Sequence, residues 1–237
     1  MRVSVLLLML SSHPLSHLCA QGATDSLAAR GDAALARGDA AAASEAFLAA
    51  VQLRPNDPSL LQRLGRALRD LGKPAEALAR YEQAIAADSG FAPAYAGRAF
   101  TRYVLKDAEG AVEDVAHARR LGMGDPQLGL IAGMALVSLG RYGEGERELD
   151  AVVAALPDEP GGWYYRGLAL GHQGKPTAAL ENFDRAEQAG MTAPRLYMDR
   201  AIAHGVLKHQ AAACADLRRA ADGGIEEAKK LLGERCR

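Results

Sequence analysis

The chain has 237 residues, and its 28 basic and 29 acidic side chains give a formal net charge of −1. This balance provides no electrostatic footprint for nucleic acid or for an anionic membrane surface, so neither is expected as a partner. Aromatic residues make up only 5% of the chain, while alanine, leucine and arginine are frequent. Such a composition favours helix nearly throughout.

The first twenty residues are typical of a secretory signal peptide. Arg2 supplies a positive charge, residues 3–10 form an apolar run too short to span a membrane, and small residues precede Gln21. Cleavage after residue 20 would leave an exported protein, periplasmic or secreted, without an integral membrane span. Two alternatives stay open. The segment can remain uncleaved as an inner-membrane anchor, or the start is wrongly assigned and a disordered tail follows it.

A period of 34 residues runs through the rest of the chain, long enough for two short helices and a turn. One position of this period holds only small residues: Gly31, Gly65, Ala99, Gly133, Gly167 and Ala201. A second position also holds small residues (Ala43, Ala77, Ala111, Gly145, Ala179, Ala213). A third position holds mostly large apolar residues (Phe47, Tyr81, Val115, Leu149, Phe183, Leu217). A turn column holds Gly38, Gly72, Gly140 and Gly174. Six units follow one another without a gap: 24–57, 58–91, 92–125, 126–159, 160–193 and 194–227.

The fifth unit shows the plan most clearly. Trp163 and Gly167 fall on one stripe of a first helix, which ends at Gly174. Pro176 then opens a second helix, since a proline at the first helical position loses no hydrogen bond. Small residues allow the two backbones to approach closely, and Trp163 and Phe183 fill the remaining space.

At these positions the chain resembles the tetratricopeptide repeat (TPR) family, whose 34-residue repeat follows a W…LG…Y…A…F…A…P pattern. The resemblance covers nearly the whole chain after the N-terminal segment. It implies an all-α fold, a right-handed α-solenoid of about six helix-turn-helix repeats. It also implies that the partner is a protein or peptide segment.

Residues 225–237 are expected to form one more amphipathic helix, which caps repeat six and overlaps its end. Two cysteines remain after the N-terminal segment, Cys214 on the second helix of repeat six and Cys236 at the end of the capping helix. In an oxidising compartment this pair is expected to form a disulfide that closes a loop of about 22 residues. The alternative is one packed thiol and one exposed thiol.

No pattern in the sequence indicates catalysis. The histidines after residue 20 form no HExxH motif, and His204 and His209 are five residues apart, a spacing that does not share a helix face. No cysteine or carboxylate partners accompany them at zinc-ligand spacing, and no nucleophile elbow is present. We therefore expect no metal, no cofactor and no enzymatic activity.

The resemblance to the TPR family further implies a concave groove lined by the first helices. Carried over by repeat position, its residues in repeat two are Gln62, Arg66, Arg69 and Asp70. Its residues in repeats three to six are Phe100, Tyr103, Leu130, Met134, Val137, Tyr164, Leu168, His172, Met198 and Ile202. A second apolar stripe on these helices indicates the same location.

Part of that stripe can instead pack between neighbouring helices, and for Leu168 and Ile202 this alternative stands beside binding. Tyr103, Met134 and Tyr164 are the stronger candidates for contact with a partner. One TPR subclass clamps C-terminal carboxylates with paired lysine and asparagine, a pattern that repeat two does not match.

The sequence therefore predicts a non-catalytic scaffold that binds a protein segment in its groove, in the bacterial periplasm or cell envelope. The alternative is an accessory or regulatory subunit of an envelope enzyme or assembly complex, such as one for pilus, secretion, polysaccharide or outer-membrane biogenesis. Such a subunit would bind through convex or loop surfaces.

Overall fold

The computed structural model describes residues 14–236, which form thirteen α-helices and no strand. The all-α class predicted from the repeats is thus confirmed. The predicted signal peptide, residues 1–20, lies mostly outside the described residues, and α1 includes its expected cleavage point. The helices are α1 (Pro14–Ala36), α2 (Ala40–Leu53), α3 (Pro58–Asp70), α4 (Pro74–Ala87), α5 (Ala92–Val104), α6 (Ala108–Arg120), α7 (Pro126–Ser138), α8 (Tyr142–Ala155), α9 (Pro160–His172), α10 (Pro176–Gln188), α11 (Pro194–Val206), α12 (Gln210–Asp222) and α13 (Glu226–Arg235).

The odd-numbered helices from α3 to α11 begin at the residues where the predicted repeats begin. Three of these starts share a local cause, an acidic residue followed by proline. The Asp57 carboxylate accepts a hydrogen bond from the Ser59 backbone N–H at 3.0 Å, and Asp125 and Glu159 cap α7 and α9 in the same way. Each cap satisfies an N–H that the helix cannot bond itself, and the proline occupies a position that needs no donor.

The turn inside each hairpin places one residue in the left-handed region. Glycine takes this position four times, with φ between 74° and 79° at Gly38, Gly72, Gly140 and Gly174. Lys106 (φ 71°) and Lys208 (φ 60°) occupy the equivalent position in repeats three and six. A residue with a Cβ is strained there by roughly 1 kcal/mol, so these two turns depend on the surrounding hairpin to hold them.

The chain divides into two compact units at Gly97. In the first unit, Phe47 and Tyr81 are fully buried, and each ring lies against a glycine of the preceding helix. A Cβ added to Gly31 would lie 2.6 Å from the Phe47 ring, and one added to Gly65 would lie 2.9 Å from the Tyr81 ring. The small residues and the large residues that recur in the 34-residue period are therefore in contact with each other, one on the first helix and one on the second helix of each pair.

The second unit repeats this contact. A Cβ on Gly133 would lie 2.5 Å from Leu149, and a Cβ on Gly167 would lie 2.7 Å from Phe183. Because interiors are close-packed, a side chain larger than hydrogen at these glycines would force the paired helices apart.

Helix α13 closes the second unit, within the segment predicted to cap repeat six. Ala228 is fully buried, and Leu231 and Leu232 pack against the core around Leu217. Cys214 and Cys236 form the predicted disulfide, with their Cα atoms 5.7 Å apart. Among the described residues, no helix combines the length and hydropathy that a bilayer crossing requires.

Arginine occupies one repeat position four times, and three of these arginines, Arg98, Arg166 and Arg200, connect helices by ion pairs that the sequence did not indicate. Arg98 donates two hydrogen bonds of 2.8 Å to Asp114, sixteen residues on. Arg200 does the same with Asp216, again at 2.8 Å. Both carboxylates are buried. Such bidentate pairs are stronger than single hydrogen bonds and fix the angle between a first helix and its second helix.

Arg200 also reaches the second helix of the preceding repeat, where it pairs with Asp184 at 2.8 Å and Glu187 at 2.6 Å. The hydrogen bonds to Asp216 and Glu187 outweigh the burial of the guanidinium and raise the pKa of Arg200. Burial alone would raise the pKa of Glu187, but hydrogen bonds from Arg200 and Arg219 lower it. Arg200 therefore joins α10, α11 and α12 through one side chain.

We predict that Arg200→Ala lowers the free energy of unfolding by about 3–5 kcal/mol, because Asp216 is left buried without its cation. Arg166→Ala, at the same repeat position, is the matched control. Arg166 pairs with Asp150, whose side chain is half exposed, and with the neutral Asn182, so we expect a loss of about 1 kcal/mol. Urea unfolding followed by circular dichroism measures both values. Equal losses would contradict the importance assigned to Asp216.

Candidate functional site

An open, largely apolar surface of the second unit lies between α9 and α11. A cavity of about 400 Å³ separates these helices, with part of α10 as its floor. Its apolar lining comes from Leu168, Pro176, Phe183, Ile202, Ala203 and Val206.

Ile202 and Val206 form a ridge along one face of α11, since residues four apart lie on the same side of a helix. Ile202 is 51% exposed and Val206 is 65% exposed. These are the two most exposed large apolar side chains in the part of the chain that the structure describes. We call this pair the α11 ridge.

A second cavity, of about 290 Å³, lies on the other side of the α11 ridge, between α11, α12 and α13. Leu217 and Leu231 contribute to its lining, and the Cys214–Cys236 disulfide forms part of its wall. The α11 ridge borders both cavities. We refer to the two cavities and the ridge together as the terminal trough.

One buried polar group supports the floor of the trough. The Asp199 carboxylate accepts a hydrogen bond from the Tyr164 hydroxyl at 2.7 Å and another from Arg195 at 3.1 Å. Burial and the neighbouring charge of Asp199 raise the pKa of Tyr164, which therefore stays a neutral donor. The hydrogen bond with Asp199 raises the pKa of Arg195, whose side chain is still 61% exposed at the rim.

The structure differs from expectation at several predicted groove residues. Met198 is 1% exposed and Tyr164 is 8% exposed, so both support the groove from below. Ile202, for which packing between helices stood beside binding as an alternative, faces solvent. The reason is that α9 lies across a cavity from it and presents the small residue Gly171 there.

The remaining groove residues keep some exposure, with one exception. Val137 is buried in a cluster with Leu149 and Ala169. Half-buried side chains are Phe100, Tyr103, Leu130, Met134 and Leu168, and His172 is exposed.

In the first unit, the four predicted positions of repeat two lie on α3 and are charged or polar. Arg66 and Asp70 are exposed, while Gln62 and Arg69 are half-buried. Arg69 and Arg66 both pair with Asp70, at 2.9 Å and 3.8 Å, so the positive charge expected there is partly neutralised.

Two residues of the site escaped the sequence reasoning. Val206 occupies the same repeat position as His172, so the period itself could have identified it. The repeat register assigns Tyr164 to the groove and does not include its neighbour Tyr165. Which of the two tyrosines faces the groove depends on the rotation of the first helix about its axis. The sequence pattern does not determine this rotation to within one residue.

Tyr165 forms a bridge with Tyr103 that spans repeat four. Their hydroxyl oxygens are 3.0 Å apart, which joins the first helix of repeat three to that of repeat five. Helix α7, with Leu130 and Met134, lies between them in the chain. Burial and the hydrogen bond with Tyr103 raise the pKa of Tyr165, so the bridge persists at neutral pH. A long segment lying across repeat four would have to displace it.

Histidines occupy the margins of the trough. The His172 ring stacks on Tyr142, with centroids 4.5 Å apart and planes 3° from parallel. His204 and His209 meet across the α11–α12 turn, with their Nδ1 atoms 3.4 Å apart, although their sequence spacing does not share a helix face. Burial lowers the pKa of His204. Within residues 14–236, no group of three or more His, Cys, Asp or Glu side chains is arranged to hold a metal ion.

Two sequence profiles described as tetratricopeptide repeat match the chain. One covers residues 63–126 and 132–194, and the other covers residues 24–57. The matched residues make up more than half of the chain. The chain belongs to the tetratricopeptide repeat family. TPR proteins are in general non-catalytic repeat scaffolds whose surfaces bind other proteins.

Solved TPR structures share this fold. YrrB, described as a TPR protein with an unusual peptide-binding site, is 23% identical, with a TM-score of 0.61 over 79% of this chain and 100% of YrrB. PilF of Pseudomonas aeruginosa is 17% identical, with a TM-score of 0.76 over 91% of this chain and 99% of its own. A TPR protein from Parabacteroides merdae is 19% identical, with a TM-score of 0.59 over 91% and 100% of the two chains. A comparison with curated sequences gives no match.

We predict that the Tyr103–Tyr165 bridge contributes about 1 kcal/mol to the TPR stack, the usual net value of a neutral hydrogen bond. Tyr103→Phe and Tyr165→Phe should each lower the free energy of unfolding by this amount, and the double variant should lose no more than either single variant. Tyr142→Phe is the matched control, because it also removes a tyrosine hydroxyl but keeps the ring that stacks on His172. Additive losses in urea unfolding would show that the two hydroxyls do not interact.

Proposed function

We propose that this TPR protein is a non-catalytic scaffold that binds a segment of a partner protein in the terminal trough. The observation that carries the proposal is the α11 ridge, a pair of apolar side chains more than half exposed between two cavities. Exposed apolar patches beside cavities are typical of binding surfaces on soluble proteins. The structural neighbour YrrB is itself described as having a peptide-binding site.

The trough is a better candidate than the α3 end of the predicted groove. On α3 the charged side chains of Arg66, Arg69 and Asp70 already pair with one another, which leaves little for a ligand to gain. Over the trough, docking of a partner would remove the α11 ridge from water. Burial of apolar surface is the main favourable term in protein association.

The proposed location is the periplasm or the cell envelope. Its support is the composition of residues 1–20, with a positive charge, an apolar run and small residues before Gln21. The Cys214–Cys236 pairing agrees with an oxidising compartment, because disulfides are rare in the cytosol. The scaffold would then act on other exported proteins.

We predict that a photo-crosslinking residue at position 202, introduced in cells, captures a partner. Mass spectrometry of the crosslinked peptide identifies the bound segment. The same crosslinker at Leu53, which is 47% exposed on a second helix of the first unit, is the matched control and should not capture that segment. Val206→Asp should abolish the crosslink from position 202, because a charge on the ridge must be desolvated on docking.

The opposite pattern would overturn the proposal. A partner captured at position 53 and not at 202 would favour an accessory subunit that binds through its outer surface. A crosslink from 202 that survives Val206→Asp, in a variant with unchanged circular dichroism, would show that the ridge is not the binding surface.

We predict that the exported protein carries no free thiol. Alkylation without reductant should leave Cys214 and Cys236 unmodified, and reduction should make both reactive. Cys236→Ser should expose one reactive thiol at position 214, which serves as the control. Cys19 reports on the N-terminus, since a third alkylated thiol would show that residues 1–20 remain attached. Modification of both Cys214 and Cys236 before reduction would contradict the disulfide.

A further inference from the structure

The charges around the terminal trough indicate the chemistry of the segment that it binds. We propose that this segment carries two apolar side chains, one for each cavity, flanked by acidic residues. This inference rests on the proposed function, since it specifies the partner of the same surface.

The two apolar anchors follow from the geometry of the ridge. The cavities of about 400 Å³ and about 290 Å³ lie on opposite sides of α11, so a segment that fills both must cross that helix. Neighbouring helices pack roughly 8–10 Å apart, a distance that about three residues of a polyproline II segment cover, and residues three apart lie on the same face of such a segment. Two apolar side chains about three residues apart would therefore straddle Ile202 and Val206.

Acidic flanks follow from the distribution of charge. Arg195 lines one cavity and Arg235 lines the other, and Lys208 stands in the exposed turn two residues beyond Val206. The only carboxylate that lines either cavity among the described residues is Asp199. It is buried and already accepts hydrogen bonds from Tyr164 and Arg195.

Asp199 offsets the charge of Arg195, so the excess positive charge of the trough comes from Arg235 and Lys208. Glu227 of α13 is a further acid whose charge acts on Arg195. Complementary charge at the rim of an interface selects partners and speeds their encounter. An acidic segment meets these cations with attraction, whereas a basic one meets them with repulsion.

The extent of the segment is limited on one side. The Tyr103–Tyr165 bridge spans α7, and the His172 ring, which stacks on Tyr142, lines the first cavity. On the other side, the disulfide closes the second cavity at the end of α13. A short segment therefore fits without rearrangement of the stack.

Binding of three dye-labelled twelve-residue peptides to the full mature chain, followed by fluorescence anisotropy, tests the proposal. The first peptide has two leucines three residues apart between glutamates. The second has the same leucines between lysines, and the third keeps the glutamates but replaces the leucines with serines. We expect the first peptide to bind at least about tenfold more tightly than either of the others, and to weaken as ionic strength rises.

Variants of the chain separate the two parts of the inference. Ile202→Asp should lower the affinity for the first peptide by about tenfold or more, and Leu53→Asp, the matched exposed control, should leave it unchanged. Arg235→Glu should weaken the glutamate peptide several-fold and strengthen the lysine peptide, because it reverses one rim charge. Arg235 has an exposed side chain, so this substitution leaves no buried group without a partner.

The outcomes distinguish this inference from the proposed function. Equal binding of the glutamate and lysine peptides, both sensitive to Ile202→Asp, would overturn the acidic preference while the scaffold function stands. Binding of the serine peptide as tightly as the first would overturn the apolar anchors. No binding of any peptide, together with a crosslinked partner at position 202, would overturn this inference alone.

Discussion

The contact between a glycine on a first helix and a large side chain on the second helix is the constraint on which the architecture depends. At Gly31, Gly65 and Gly167 there is no room for a Cβ, because the ring of Phe47, Tyr81 or Phe183 occupies its place. The ring therefore lies directly against the backbone of the neighbouring helix, and the two helix axes come close. Repeating that approach every 34 residues keeps successive hairpins alike, so that each can stack on the next. Close packing of this kind supplies dispersion contacts throughout the interior, with few aromatic residues.

The same constraint decides which surface remains for function. Each second helix commits its large residue to the interior, and the first helix commits its glycine face to receive it. The opposite face of the first helix does not pack against the second helix of its pair. In repeats three to five that face is half covered by tyrosines and leucines. On α11 it carries only Ile202 and Val206 between small neighbours, so it stays open. The proposed binding surface thus results from how the helix pairs pack and from the absence of bulky residues on this face of α11.

Much of this architecture could be predicted from the sequence, because the period of small and large residues is a direct record of the helix contacts. The caps before proline and the pairing of the two cysteines follow from equally local reasoning. Burial on the inner face was harder to predict. The exposure of Ile202 depends on the size of residues in neighbouring helices, and Tyr164 differs from Tyr165 by one step of helix rotation. The ion pairs of Arg98 and Arg200 lay beyond local patterns, since an arginine and an aspartate sixteen residues apart have meaning only once the two helices are paired.

The disulfide at the end of the stack has a consequence for how the protein comes apart. In a linear array the last element has a neighbour on one side only, so it is normally the first to fray. Here α13 is tied covalently to α12, and it cannot peel away without taking its partner helix along. Transient opening should therefore begin elsewhere in the chain. Proteolysis that depends on the unfolding of α13 should therefore be slow for as long as the bond stays oxidised.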